Sequence, residues 1–127
     1  MYPPDEFLLA CESGDIVTVV LLIDKVNPTT YNNWPIELSC THGHIDVVRL
    51  LLADPRVDPS ANDNRAIEVA SRNGYIDIVR LLLKDHRVET SMSDIFWAKR
   101  NGHTETVDHL TEHLYRLDGP EYNKNII

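Results

Sequence analysis

The apolar positions of this chain recur with a helical period, in pairs of short segments separated by a glycine. In the most regular copy, Ile67 and Ala70 precede Gly74 by seven and four residues. A large apolar residue followed three positions later by a small one marks one face of a short helix. After the glycine, apolar residues at the second, fifth, eighth and ninth positions predict a second amphipathic helix. Matching pairs are Phe7 with Ala10, Ile36 with Ser39, and Ile95 with Ala98.

The glycines that separate the two segments indicate a repeat. Gly14, Gly43, Gly74 and Gly102 follow one another at intervals of 29, 31 and 28 residues. Residues 36–58 share 13 of 23 positions with residues 67–89. Self-similarity at such a period is typical of a solenoid, and a glycine after the first helix fits a left-handed helix end. The sequence therefore predicts four stacked copies of a helix, a tight turn and a second helix.

The second-helix segments resemble the ankyrin repeat. Gly43–Leu52 and Gly74–Leu83 read Gly-His or Gly-Tyr, an acidic residue, an aliphatic pair, a basic residue and three leucines. The resemblance extends over residues 5 to 115 and implies an all-α, ankyrin-type solenoid of four helix-turn-helix repeats with short connecting fingers. Its predicted boundaries are a single domain at 1–117, units at about 5–33, 34–64, 65–93 and 94–117, and a tail at 118–127.

The first helices depart from the family pattern. Trp34-Pro35-Ile36-Glu37 and Arg65-Ala66-Ile67-Glu68 stand where the family usually has Thr-Pro-Leu-His. The missing residues come out of the finger, and such short fingers look like those of ankyrin proteins from large DNA viruses and protists. For the helix starts we expect Asn33 to cap the second unit, Asn62-Asp63-Asn64 to supply the cap of the third, and Asp94 to cap the fourth.

Composition narrows the functional classes. The 127 residues carry a formal charge of −8 without a basic run, which argues against nucleic acid and an anionic membrane surface as partners. The apolar stretch Val17–Ile23 is too short to span a bilayer, and Met1–Glu6 has no signal-peptide character. We expect a cytoplasmic protein, in the host cell if the source is a virus.

Several residues could suggest a chemical function, but their positions in the repeat favour a structural role. Cys11 and Cys40 occupy equivalent positions in the first two repeats, three residues before the turn glycine. We therefore expect them to pack in the core and not to form a disulfide. His109-Leu110-Thr111-Glu112-His113 matches a zinc-peptidase pattern, but it falls in a helix where polar residues are expected, and a third ligand is missing. His44 and His103 follow turn glycines and are expected to be structural. We predict no metal, no cofactor and no enzymatic activity.

The two ends of the predicted stack differ. Val17–Ile23 leaves little polar surface, although a terminal repeat should have a polar outer face. Either Met1-Tyr2-Pro3-Pro4 or another chain would then cover this end. The fourth second helix has Thr104, Thr106, His109 and Thr111 in apolar positions, which is the composition of a C-terminal cap.

Two functions remain open from the sequence. The first is a non-catalytic module that binds a protein partner on the concave face, because solenoids present residues that vary without affecting the core. By the ankyrin resemblance, the binding residues are Trp34, Glu37, Thr41, His42, Arg65, Glu68, Arg72, Asn73, Phe96 and Arg100; the alternative is that these side chains only pack locally or are solvated. The second function is assembly, in which a monomer or weakly associating chain docks through residues 15–26.

Overall fold

The computed structural model describes residues 4–116, which form eight α-helices and no strand. The helices are α1 Pro4–Ser13, α2 Ile16–Leu22, α3 Thr30–Thr41, α4 Ile45–Leu52, α5 Ala61–Arg72, α6 Ile76–Leu83, α7 Met92–Arg100 and α8 Thr104–Tyr115. The all-α solenoid of helix-turn-helix repeats predicted from the sequence is confirmed. No helix in this part of the chain has the length and apolar character needed to cross a membrane.

The helices form two rows. The inner row consists of α1, α3, α5 and α7, and the outer row consists of α2, α4, α6 and α8. Neighbouring inner helices contact each other more extensively than neighbouring outer helices do. We call the exposed side of the inner row the concave face.

One continuous apolar core runs between the two rows. Equivalent positions supply it in every repeat, since each helix turns the same face toward its neighbours. Buried residues at equivalent positions are Phe7, Ile36 and Ile67 of the inner helices, and Val19, Val48, Val79, Leu22, Leu51, Leu82 and Leu110 of the outer helices. In the last repeat the equivalent Ile95 and Val107 are partly buried.

Two structural features explain why glycine stands at these turns. Their φ angles lie between 71° and 79°, a region that costs other residues roughly 1–2 kcal/mol. In addition, His44, Tyr75 and His103 each pack on the glycine turn of the preceding repeat, so a Cβ at Gly74 would clash with the ring of His103. His44 also forms a 2.7 Å hydrogen bond between Nε2 and the carbonyl of Glu12. The prediction that His44 and His103 are structural is confirmed.

The predicted asparagine caps are wrong. Tyr31, Asn32 and Asn33 have φ of 52°, 56° and 64°, so they form a left-handed turn before the right-handed helix. Asn62-Asp63-Asn64 does the same in α5. Asn33 Oδ1 accepts a hydrogen bond from the backbone N–H of Asp58 at 2.9 Å instead of capping its own helix. Asparagine and aspartate suit these positions because they tolerate left-handed backbone.

Asp94 is also not the cap of its helix. The helix begins earlier, at Met92, with Ser91 as N-cap. Asp94 Oδ2 accepts hydrogen bonds from the Ser91 N–H at 3.2 Å and from the Thr90 hydroxyl at 2.9 Å. Its burial raises the pKa of the carboxyl group above the usual range. Asp94 thus supports the start of α7 from the third helical position.

The connections after α4 and α6 carry a repeated ion pair. Arg56 binds the carboxylate of Asp54 at 2.7 Å and donates to the carbonyl of Ile23 at 3.3 Å. Arg87 binds Asp85 at 2.8 Å and donates to the carbonyl of Val57 at 3.4 Å. Hydrogen bonds from Arg87 lower the pKa of Asp85 to about 2. Each arginine therefore links its connection to the preceding repeat.

The two ends of the stack match the predicted contrast. Val17, Val20 and Leu21 on α2 are 65%, 52% and 61% exposed, whereas Val19 and Leu22 are buried. On α8, Thr106 and Leu110 are buried, and most of the exposed residues are polar, with Tyr115 at the end of the helix as an exposed aromatic residue. The predicted covering role of residues 1–3 and the predicted tail at 118–127 lie outside the described residues.

Candidate protein-binding surface

The ten residues predicted for the binding row lie on or just after α3, α5 and α7. Trp34 and Phe96 are 43% and 55% exposed, which is high for aromatic side chains. His42, Arg65, Asn73 and Arg100 are exposed, whereas Glu37, Thr41, Glu68 and Arg72 are half-buried. The structure divides these residues into two clusters and a set of interhelical contacts.

The first cluster surrounds Trp34 at the start of α3. Its ring meets the ring of Tyr31 edge to face, with centroids 5.7 Å apart and planes at 84°. Both side chains are exposed. Tyr31 was not predicted, because its place in the row depends on the left-handed turn that brings it beside the helix start.

Glu37 lies next to this aromatic pair and is held by the following repeat. Asn62 Nδ2 donates to Glu37 Oε1 at 2.7 Å and to the carbonyl of Asn32 at 3.1 Å. The side chains of Asn32 and Asn62 also form a hydrogen bond with each other. These contacts fix the carboxylate of Glu37 at the edge of the concave face.

The second cluster begins with two arginines that share one carboxylate. Arg65 Nη1 and Arg72 Nη2 lie 3.0 and 3.2 Å from the same Glu68 oxygen. Glu68 and Arg72 are four residues apart, a spacing that favours such an ion pair on a helix. Arg72 Nε is buried and has no hydrogen-bond partner. The two arginines thus share the Glu68 carboxylate, and the carboxyl group of Asp94 also interacts electrostatically with Arg72.

Trp97 extends this cluster across to α7, although the sequence did not identify it. Arg72 lies 5.0 Å and Arg100 5.9 Å from the centroid of its ring. Phe96 meets the same ring edge to face at 5.2 Å. Equivalent positions in the preceding repeats are the buried Leu38 and Val69, so the repeat pattern assigned this position to packing. The larger indole is only partly covered and reaches the surface.

The remaining predicted residues mainly hold neighbouring helices together. Thr41 donates to the carbonyl of Glu37 in its own helix at 2.7 Å. Asn73 Nδ2 donates to the carbonyl of Thr41 at 3.4 Å, and Asn101 makes the same kind of contact with Arg72 at 3.0 Å. The rings of His42 and His44 stack with centroids 6.4 Å apart. These residues shape the concave face and leave fewer free polar groups for a ligand.

The second cluster has three guanidinium groups, those of Arg65, Arg72 and Arg100, against the carboxyl groups of Glu68 and Asp94. Its formal charge is therefore positive in a chain of −8. Guanidinium groups bind carboxylates in a planar, two-pronged geometry. Exposed aromatic rings beside them add apolar area, and tryptophan and arginine are the residue types that most often dominate interfaces. The arrangement can therefore hold an acidic side chain and an adjacent apolar group.

The other residues with possible chemistry lie elsewhere. Cys11 and Cys40 are free, buried thiols, and burial raises the pKa of Cys11 to about 12, so its thiol stays protonated. His109 and His113 lie on α8, on the outer side of the stack. Over residues 4–116, three metal-ligating side chains nowhere come close enough together to hold an ion.

Two rows of paired helices with a varied polar and aromatic face on the inner row define a helical-repeat solenoid. The chain is similar to the ankyrin repeat family, whose model matches residues 31–64. The matched segment contains α3, α4 and the connection that follows them. Ankyrin repeats are generally protein–protein interaction modules and are typically non-catalytic. No curated protein matches the chain.

Proposed function

We propose that the chain is a non-catalytic binding module whose protein partner lies along the concave row of α3, α5 and α7. The observation that carries this proposal is the second cluster, in which Arg72 and Arg100 flank the exposed ring of Trp97. Nothing in the core requires cationic side chains at these positions, because the equivalent position of Arg72 in α3 is Thr41.

The partner's contacting segment carries a carboxylate and a neighbouring apolar side chain. The carboxylate binds the arginines, which Glu68 neutralises only in part, and the apolar group packs on Trp97 and Phe96. Trp34 and Tyr31 supply a second apolar contact at the other end of the row. With its buried free thiols, the module is suited to the reducing cytoplasm, that of the host if the source is a virus.

Paired affinity purification tests the proposal. The parent chain and the triple variant Trp34→Ala, Arg65→Ala, Arg72→Ala serve as parallel baits in an extract of the native cell, and Kd is then measured for each protein that the parent retains. The variant should bind at least about tenfold more weakly, equivalent to about 1.4 kcal/mol, with unchanged helicity. A partner that binds parent and variant equally would contradict the concave site.

Assembly through residues 15–26 is a second candidate, favoured by the exposure of α2. Val17 and Val20 occupy positions where the next two outer helices have the ion pairs Asp46–Arg49 and Asp77–Arg80, each at 3.8 Å. Leu9 on α1 is also exposed, whereas the equivalent Leu38 on α3 is buried. Sedimentation velocity over a concentration series tests this function, and a parent that stays monomeric throughout would exclude self-association.

A further inference from the structure

Leu9 on α1 and Leu21 on α2 lie on the side of the first repeat that would face a preceding repeat. They are 64% and 61% exposed. In the last repeat the equivalent of Leu9 is Trp97, whose ring centroid lies 5.0 Å from the guanidinium carbon of Arg72 in the repeat before it. The equivalent of Leu21 is His109, which borders a groove together with residues of α6. The N-terminal end of the stack therefore exposes two leucines at positions that contact a neighbouring repeat elsewhere.

The opposite end of the stack has an open groove between α7 and α8. It encloses about 360 Å³ and is bordered by Ile95, Lys99, Val107 and Thr111 and by the turn glycine Gly102. The earlier turn glycines are each covered by a ring from the following repeat, whereas a Cβ at Gly102 would meet no atom of the described residues within 4 Å. The groove therefore lies where a following repeat would pack.

The inner helices at the two ends expose opposite charges. Three exposed carboxylates lie on α1, which contains no basic residue: Asp5, Glu6 and Glu12. On α7 the exposed charged residues are Lys99 and Arg100, because the one acidic residue of that helix, Asp94, is buried. The exposed face of α1 is therefore electrostatically complementary to that of α7.

The junction between α5 and α7 indicates which side chains would meet if α1 of a second copy followed α7. At that junction Arg72 lies over the ring of Trp97 and interacts electrostatically with the buried Asp94. The equivalents, counted from the turn glycines, are Arg100 for Arg72, Leu9 for Trp97 and Glu6 for Asp94. Placing α1 after α7 would thus again set an arginine above an apolar side chain and beside a carboxylate.

We propose that the N-terminal end of one copy of this chain stacks on the C-terminal end of another, so that α1 and α2 continue the two rows beyond α7 and α8. Arg100 pairs with Glu6 of the next copy and covers its Leu9, and Leu21 of that copy packs toward the groove between α7 and α8. The contact joins two different surfaces and leaves two free ends on each pair of copies, so further copies can add. This proposal rests on the second candidate function, assembly, and names the two surfaces that meet.

A charge exchange between two variants of the full chain tests the proposal. Association is measured by sedimentation velocity up to millimolar protein, at low salt to limit screening. Glu6→Lys and Arg100→Glu should each associate at least about tenfold more weakly than the parent, because each places like charges at the junction. An equimolar mixture should recover the association of the parent, since the new lysine of one variant meets the new glutamate of the other and the unaltered ends form the original pair.

The controls separate this contact from general electrostatic effects and from unfolding. Lys84→Glu makes the same change in net charge as Arg100→Glu, away from both ends, and should associate like the parent. Glu6→Gln keeps the size of the side chain and should weaken association in the same direction as Glu6→Lys, with the helicity of the parent by circular dichroism.

The outcomes distinguish this contact from assembly in general. A parent that stays monomeric throughout would overturn both the contact and the assembly function, and its own terminal segments or another protein would then cover the ends. Association of the parent without recovery in the mixture, or with equal weakening in Lys84→Glu and Arg100→Glu, would overturn the head-to-tail contact alone.

Discussion

The first and last outer helices occupy equivalent places in the stack and expose different surfaces. α2 presents Val17 and Val20, whereas the equivalent residues of α8 are Glu105 and Asp108. Both helices bury the same leucine position, Leu22 and Leu110. Packing therefore requires the buried stripe at both ends, but it leaves the outward positions free. The apolar residues on the outward face of α2 are therefore not explained by packing within the stack.

The largest effect on stability should come from a substitution in the buried apolar stripe, compared with one on the exposed face of α2. Replacing Leu82, which is fully buried, by alanine should lower the free energy of unfolding by roughly 2–5 kcal/mol, since it removes apolar contacts and leaves a cavity. Leu21→Ala on the exposed face of α2 should change it by less than about 0.5 kcal/mol. Urea denaturation of both variants measures this difference, and equal losses would mean that α2 is covered in solution.

Substitution of the turn glycines should affect stability differently in the interior of the stack and at its C-terminal end. Gly74→Val should be destabilised by roughly 1–2 kcal/mol or more, because valine is forced into left-handed backbone and its Cβ would meet the His103 ring. Gly102→Val has the same backbone strain, but no neighbour lies within 4 Å of the added Cβ. Thermal unfolding should show a greater loss at Gly74. If Gly74→Val were as stable as the parent, the turn assignment would be wrong.

A repeat-matched exchange tests the apolar face of α2. The variant Val17→Asp, Val20→Arg introduces the residues found in α4 and α6, and the ion pair itself should alter stability by less than about 1 kcal/mol. Self-association measured by sedimentation should fall if the α2 face mediates it. The reciprocal variant Glu105→Val, Asp108→Val should create association at the other end. If association were unchanged in both variants, the exposed apolar face of α2 would not mediate self-association.

The smallest effect concerns the ion pairs of the connections. The pKa of Asp85 is lowered to about 2 by Arg87, so its contribution to stability is present above the unfolded pKa of about 3.9. This contribution is lost as the pH falls from about 4 through 2, and partial exposure of Arg87 keeps it below about 1 kcal/mol. In Arg87→Gln, carbon-detected NMR should show the Asp85 pKa closer to its usual value. An unchanged pKa would contradict the pairing.

The sequence predicted those features that recur at fixed positions. Four turn glycines, the inner and outer apolar stripes and the pairing of Glu68 with Arg72 could be read from spacing alone. The caps could not, because Asn33 and Asn64 use their side chains to bind backbone N–H groups 25 residues away. Such contacts depend on how closely neighbouring repeats stack, and this distance cannot be read from the residues around a helix start.

Trp97 shows the same limit at the candidate site. Its position is a packing position in two earlier repeats, so aligning the repeats hides it. The indole of Trp97 is larger than the leucine or valine side chain at the equivalent position, and it remains partly exposed beside Arg72. Other contacts of the row could not be read from the sequence either: Trp34 with Tyr31, Glu37 with Asn62, and Phe96 and Arg100 with Trp97.

The central claim is that partner recognition lies on the concave row and not on the apolar end. It is tested most directly by measuring, with one isolated partner, the Kd of the parent, of Trp97→Ala and of Val20→Asp. The concave site predicts that Trp97→Ala weakens binding by about tenfold or more, while Val20→Asp binds like the parent and both variants keep their helicity. Loss of binding in Val20→Asp with full binding in Trp97→Ala would contradict the claim and place the partner on α2.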